Sequence, residues 1–183
     1  MRRLPKRTRS QSLRKRNVIA SPKGEAISVE DDRLLDPIEA RKKAMDYLAR
    51  REHGRGELVD KLVRFGFGND IADIAVTQLI DDGLQSDERF AEAFVRSRIN
   101  QGKGPARIRQ ELTERNLNAS LIEETIQAAD ADWFGLARDV RSKKFGDGLP
   151  QEFSEKARQM RFLQQRGFET AHIQAAVSSH GDD

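Results

Sequence analysis

The chain has three histidines, His53, His172 and His180, and no cysteine among its 183 residues. His172 and His180 stand eight apart and no His-Glu-x-x-His run occurs, so the spacing that would put two imidazoles on one metal is missing. Surface or helix-cap positions are expected for them. The carboxylates Asp81, Asp82, Asp87 and Glu88 flank a turn without the alternating spacing of a calcium loop, which makes helix-end electrostatics their expected role. Gly66-Phe67-Gly68, Gly102-Lys103-Gly104 and Gly146-Asp147-Gly148 lack the strand, the further glycines and the Lys-Ser/Thr pair of a phosphate loop. Without cysteine, disulfides, thiol catalysis and cysteine-held zinc are excluded. No nucleophile stands with a base, so the expectation is a protein that is not an enzyme and needs no metal or cofactor.

The chemistry left is cationic. Charged residues make up 34% of the chain and the formal net charge is +3, but the sign is unevenly distributed. Residues 1–23 carry Arg2, Arg3, Lys6, Arg7, Arg9, Arg14, Lys15, Arg16 and Lys23 and no acid, while the rest holds 24 bases against 30 acids. A like-charged block without aromatics repels itself and buries too little to repay its ordering entropy, so residues 1–36 are expected to be a disordered basic arm. A solubilising tail, a contact with nucleic-acid phosphates and an organellar transit segment are three readings of it. Beyond the arm, Arg96, Arg98, Lys103, Arg107 and Arg109, then Arg141, Lys143, Lys144, Arg158 and Arg161, are candidates for a stripe that faces a phosphate backbone or an acidic protein surface. The bland alternative is a set of solvated helix faces, with Arg98 paired to Asp87 or Glu111. Phe67, Phe90, Phe94, Trp133, Phe134 and Phe168 have the spacing of core residues rather than of a base-stacking platform.

Helices must position these groups. Asp36-Pro37 is an N-cap followed by proline at the first helical position, and Ala40, Ala44, Tyr47 and Leu48 carry a first helix to about His53. Leu58, Leu62 and Phe65 mark a second helix ending at Gly66. Ile71, Ile74, Ala75 and Leu79 mark a third. Ser86 caps a fourth with Phe90, Ala91, Phe94, Val95 and Ile99, and Gly104-Pro105 opens a fifth with Ile108 and Leu112. Ser120 to Glu123 has capping-box spacing before Ile126 and Ala129. A seventh helix starts at Trp133, Met160 and Leu163 lie on an eighth, and Ile173, Ala176 and Val177 on a ninth. Sustained strand alternation is absent, and the fold class is all-α.

One pattern recurs at intervals of 50 and 51 residues: Leu62-x3-Gly66-Phe67, Leu112-x3-Asn116-Leu117 and Leu163-x3-Gly167-Phe168. Each is followed at the same distance by an apolar pair, Ala72 and Val76, Ile122 and Ile126, then Ile173 and Val177. Gly and Asn are the residues that tolerate a left-handed helix end, so the column predicts the same helix C-cap three times. The expected architecture is three tandem three-helix repeats over 37–83, 84–130 and 131–183, forming an elongated array roughly 50 to 60 Å long.

At this point the residues resemble a known family. Gly83-Leu84-Gln85-Ser86-Asp87-Glu88-Arg89-Phe90-Ala91-x2-Phe94-Val95-x2-Arg98, with Gly104, Ile108, Glu111 and Leu112, is similar to the central signature of the RecX family of bacterial recombination regulators. Tyr47-Leu48-x2-Arg51 with Glu57-Leu58, and Phe162-Leu163-x2-Arg166-Gly167-Phe168, resemble the family's first and third repeats. The resemblance covers about residues 37–178. Gly54 stands where the family usually has serine, Asn116 where it has glycine, and Gln85-Ser86 where it has a more acidic pair.

The resemblance implies a cytoplasmic, non-enzymatic, monomeric modulator of DNA repair and the SOS response. It binds the RecA recombinase and the RecA filament on single-stranded DNA, and restrains strand exchange and co-protease activity. The residues themselves leave a second reading open, a helical protein that binds DNA directly through its arm and basic helices. No run reaches the length of a membrane span, and no secretory signal follows the basic N-terminus.

Overall fold

The structure is a computed structural model that describes the backbone of Val18–Ala20 and Ala26–Ser28 and all of residues 34–178. Nine helices lie among the described residues: α1 Pro37–Leu48, α2 Arg55–Phe65, α3 Asn69–Asp81, α4 Asp87–Asn100, α5 Pro105–Thr113, α6 Ala119–Ala128, α7 Trp133–Phe145, α8 Phe153–Gln165 and α9 Thr170–Val177. They pack in threes around three separate cores. Leu58, Leu62, Val76 and Leu79 anchor the first, Phe90, Ile108, Leu112 and Ile122 the second, and Ala137, Leu163, Phe168 and Ala176 the third.

The recurring helix ends take the expected form. Gly66, Asn116 and Gly167 all have positive φ, at 123°, 61° and 84°. At each, the next amide reaches back over the last turn: Phe67 N to Leu62 O at 3.1 Å, Leu117 N to Leu112 O at 3.4 Å and Phe168 N to Leu163 O at 3.2 Å. This six-to-one bond satisfies a carbonyl the helix leaves open, and the apolar residue that follows folds under the helix. Phe67, Leu117 and Phe168 are accordingly buried. The paired apolar positions on α3, α6 and α9, from Ala72 to Val177, are buried as well.

Several local expectations need correction. The first helix stops at Leu48, not His53; Glu52 and His53 beyond it bond Arg89 and Gln85 of the second triplet, as described below. Asn118, rather than Ser120, caps α6: its Oδ1 accepts from both the amide and the hydroxyl of Ser120, at 2.8 and 2.6 Å. Asp36 and Ser86 do cap α1 and α4, accepting from Ile38 N at 2.8 Å and Arg89 N at 3.1 Å. Ile74 and Phe65, assigned to inner stripes, are largely exposed.

The arm also departs from expectation in part. Val18–Ala20 (β1) and Ala26–Ser28 (β2) pair antiparallel in the register Val18 to Ser28, Ile19 to Ile27 and Ala20 to Ala26. β-branched Val18, Ile19 and Ile27 on either side of a Pro- and Gly-containing stretch are suited to a short hairpin. The all-α class holds for the body. Arg2, Arg3, Lys6, Arg7, Arg9, Arg14, Lys15 and Arg16 lie outside the described residues, and so does His180.

The triplets meet through the ends of their middle helices. Gly56, in the first turn of α2, lies against the Arg115 carbonyl and Asn116 just past the end of α5. The first turn of α5 abuts the end of α8 at the equivalent place, and here main-chain bonds form, with Gly104 N donating to Arg166 O at 2.8 Å and Ala106 N to Gly167 O at 3.1 Å. Open donors of one helix thus satisfy open acceptors of the next. Laid end to end at 1.5 Å per residue, α2, α5 and α8 run on the order of 50 Å.

Candidate partner-binding surface

The arginines proposed from the second triplet are largely spent inside it. Glu111 on α5 is buried and receives Arg98 Nε at 2.6 Å and Arg107 Nε at 2.8 Å. Burial alone pushes the Glu111 carboxyl up, but the two guanidinium bonds outweigh it and hold the group below the usual carboxylate range. The Glu111 carbonyl accepts from Arg115, and the Arg98 and Arg115 guanidinium carbons lie 4.2 and 4.7 Å from the centre of the Phe94 ring. Arg109 forks onto Glu123 at 2.5 and 3.0 Å, and its other nitrogen lies 3.9 Å from Glu169 of the third triplet. Of the two partners considered for Arg98, the structure selects Glu111. Lys103 is half-buried, and Arg96 is exposed.

The third triplet is different. Arg141 must be withdrawn from the partner-facing set: it is 4% exposed, and its guanidinium donates to the Gly148 carbonyl at 2.8 Å and the Asp147 carbonyl at 3.0 Å. Its function is to hold the loop between α7 and α8. Lys143, Lys144, Arg158 and Arg161 are exposed, and all but Lys143 line a cleft with a pair of aromatic rings that the spacing argument did not select. Phe145, ending α7, and Phe162 on α8 meet edge to face with centroids 5.3 Å apart. Lys144 Nζ sits 4.5 Å from the Phe162 centroid, Arg158 5.3 Å from that of Phe145, and Arg166 5.0 Å from that of Phe162.

A surface cleft of about 470 Å³ runs between Lys144, Phe145, Arg158, Arg161 and Phe162. The carboxylate paired within this group is Glu155, at 2.9 Å from Arg158. The cleft is therefore strongly cationic, with two aromatic rings in its lining, an arrangement that suits a polyanion or an acidic protein face. Arg158 and Phe162 stand four apart on α8, and Arg166 follows four further on as its C-cap. That helical spacing of cation, ring and cation was the signal in the sequence that could have found the cleft.

The remaining candidates have structural positions. Phe67, Phe90 and Phe168 are core, Phe94 and Trp133 pack partly against it, and Phe134 is partly exposed with its ring centre 4.8 Å from that of His172. His172 Nδ1 accepts from Glu169 N at 3.3 Å in the cap of α9. His53, expected at a surface or cap, is instead buried with Nδ1 2.9 Å from the Arg51 carbonyl oxygen, and burial keeps its imidazole below the ordinary value.

His53 belongs to the joint between the first two triplets. Gln85 is buried there, and its amide donates to the His53 carbonyl at 3.1 Å and to Asp87 Oδ1 at 2.8 Å. Asp87 also accepts from Arg55 N at 2.8 Å, and Arg89 bonds Glu52 at 3.0 Å. Asp87 and its neighbours thus tie two units together.

Comparison with known proteins decides the family. Three family models, described as the first, second and third three-helix domains of RecX, match residues 40–79, 86–126 and 130–177. The chain belongs to the RecX family. The regulatory protein RecX of Halorhodospira halophila is 43% identical over 140 residues, covering 76% of this chain and 87% of that protein. That of Pseudomonas savastanoi pv. phaseolicola is 41% identical over 151 residues, covering 82% and 97%.

Among solved structures, a crystal structure of regulatory protein RecX aligns with TM-score 0.67 at 21% identity, over 79% of this chain and 73% of that one. RecX from Lactobacillus salivarius aligns with TM-score 0.63 at 20% identity, over 80% and 96%. At such identities these likenesses speak for the fold alone. The matched RecX domains fall on the three cores, and the relatives that carry them are named regulatory proteins. No helix among the described residues is long and apolar enough to cross a membrane.

Proposed function

We infer that this chain is a non-enzymatic, cytoplasmic, monomeric regulator that binds the RecA recombinase, above all its filament on single-stranded DNA, and restrains recombination and co-protease activity in the SOS response. The observation that carries the reading is the unbroken series of three RecX domains joined through the ends of α2, α5 and α8, since a surface of that length matches a polymer better than a small substrate. To shift a filament between states, the protein must bind one state more tightly than the other. Sedimentation with RecA assembled on single-stranded DNA, using the full chain and a variant lacking residues 1–23, tests this. Retention of filament binding and of strand-exchange inhibition by the shortened chain is expected. Loss of both would sink the reading.

A second reading, direct binding of single-stranded DNA, is favoured by one observation, the cationic cleft over Phe145 and Phe162. In it, Lys143, Lys144, Arg158 and Arg161 contact phosphates, with Arg2, Arg3, Lys6, Arg7, Arg9, Arg14, Lys15 and Arg16 adding non-specific charge. Binding of bare single strands that is as tight as filament binding and lost with residues 1–23 would select it.

A further inference from the structure

A groove of about 640 Å³ opens between the second and third triplets, walled by α4, α6 and α7. Its apolar lining sets Val95 and Ile99 of α4 with Ala128 of α6, Ala129 just past its end and Leu136 of α7. Thr125, in the same lining, is already committed, its hydroxyl donating to the Leu121 carbonyl at 2.7 Å. A small polar ligand would find no free donor on that hydroxyl, whereas apolar side chains would displace water from alanine and isoleucine surface.

The rim has a definite sign. Glu92 on α4 and Asp139 on α7 stand on opposite walls, exposed, and neither carboxylate has an ion-pair partner among the described residues. Asp132, at the N-cap of α7, adds a third, and Arg96 is the cation of the lining. Net negative charge around an apolar trough is complementary to an amphipathic polypeptide that puts apolar groups down and a Lys or Arg up. We propose that this groove seats such a basic amphipathic segment of the protein partner, separately from the cationic cleft on the third triplet. The assignment of RecA as that partner rests on the functional reading above; the chemistry of the seat does not.

The test uses the full chain and two readouts. One is the anisotropy of a labelled 12-residue amphipathic Leu/Lys peptide, and the other is co-sedimentation with RecA on single-stranded DNA. Ala129→Trp fills the groove, and the pair Glu92→Lys and Asp139→Lys reverses its rim; all three positions are exposed, so circular dichroism should remain that of the parent. Each variant is expected to weaken both interactions at least tenfold, whereas Arg158→Glu should leave peptide binding unchanged. Full peptide and RecA binding by Ala129→Trp would overturn the proposal, and so would a loss seen only on charge reversal, which denotes long-range field without occupancy. If removal of residues 1–17 strengthens peptide binding tenfold, and only while Ala129 is intact, the basic arm of this chain is the occupant and the partner assignment falls. Groove-dependent peptide binding without any RecA binding would refute the functional reading and leave the seat standing.

Discussion

Gly104 and Gly167 face each other across the joint between the second and third triplets, so closely that a Cβ on Gly104 would lie 2.3 Å from the Gly167 carbonyl oxygen. The approach is needed because Gly104 N and Ala106 N donate into the open end of α8, at Arg166 O and Gly167 O. At the first joint the matching residue, Gly54, meets side chains alone: an added Cβ would lie 3.2 Å from the ring of Phe90 and 3.6 Å from Asp87 Oδ1. The two glycines occupy equivalent places and have unequal tolerance.

Gly104→Ala should therefore cost about 2–3 kcal/mol, as overpacking against backbone does, and should open the second joint. Gly54→Ser places a capping hydroxyl at the head of α2 while the Phe90 ring gives way, and should stay within about 1 kcal/mol of the parent. Thermal melts of the two variants check the contrast. Equal losses would mean that the joints are alike.

Asn116 occupies the left-handed site at φ 61°, which its short polar side chain tolerates and a β-branched one does not. Asn116→Gly should be neutral or slightly stabilising, and Asn116→Val should lose about 1–2 kcal/mol. Urea denaturation reads both.

Glu111 and Glu57 give the acid limb of stability. Burial pushes each carboxyl up, and bonds from Arg98 and Arg107 to Glu111, and from Arg51 to Glu57, bring both below the usual range. A carboxyl depressed in the folded state contributes stability that is present above its unfolded value, about 4.3, and is lost as pH falls through the folded one. Unfolding free energy should thus decline below about pH 4.3. Glu111→Gln should remove about 1–2 kcal/mol at pH 7, after allowance for partial solvent screening, and flatten the decline. A pH series of urea melts would show an unchanged slope if the pairs were idle.

Arg141 and Arg158 belonged to one proposed stripe and should now separate. Arg141→Met leaves the Asp147 and Gly148 carbonyls without a donor and should cost about 2 kcal/mol with binding intact at temperatures below the melt. Arg158→Glu with Arg161→Glu should leave the melt within about 0.5 kcal/mol, because both side chains are exposed. If single strands occupy the cleft, each lost phosphate contact also lowers the salt slope of binding by about 0.7.

What could be read from the sequence was what neighbours along the chain decide. The Gly66, Asn116 and Gly167 column, the Asp36 and Ser86 caps and the triplet periodicity are all local and all present in the structure. Features that depend on distant residues were not legible. Arg109 finds Glu123 only because α5 and α6 pack together, and Gly104 needs to be glycine because of a residue 63 positions away. The Phe145 and Phe162 pair joins two helices across a loop, so the meeting of the two rings could not be read from either segment alone. The short hairpin of β1 and β2 was hidden by the surrounding charge.

The two joints are made of different material. Main-chain amides and carbonyls knit the second, reinforced by Arg166 reaching the Gln101 and Gly102 carbonyls at 3.0 and 3.3 Å. The first depends on bonds made by the side chains of Gln85, Asp87 and Arg89. Bending should therefore concentrate near Gln85, between the leading triplet and the more firmly joined pair that follows it.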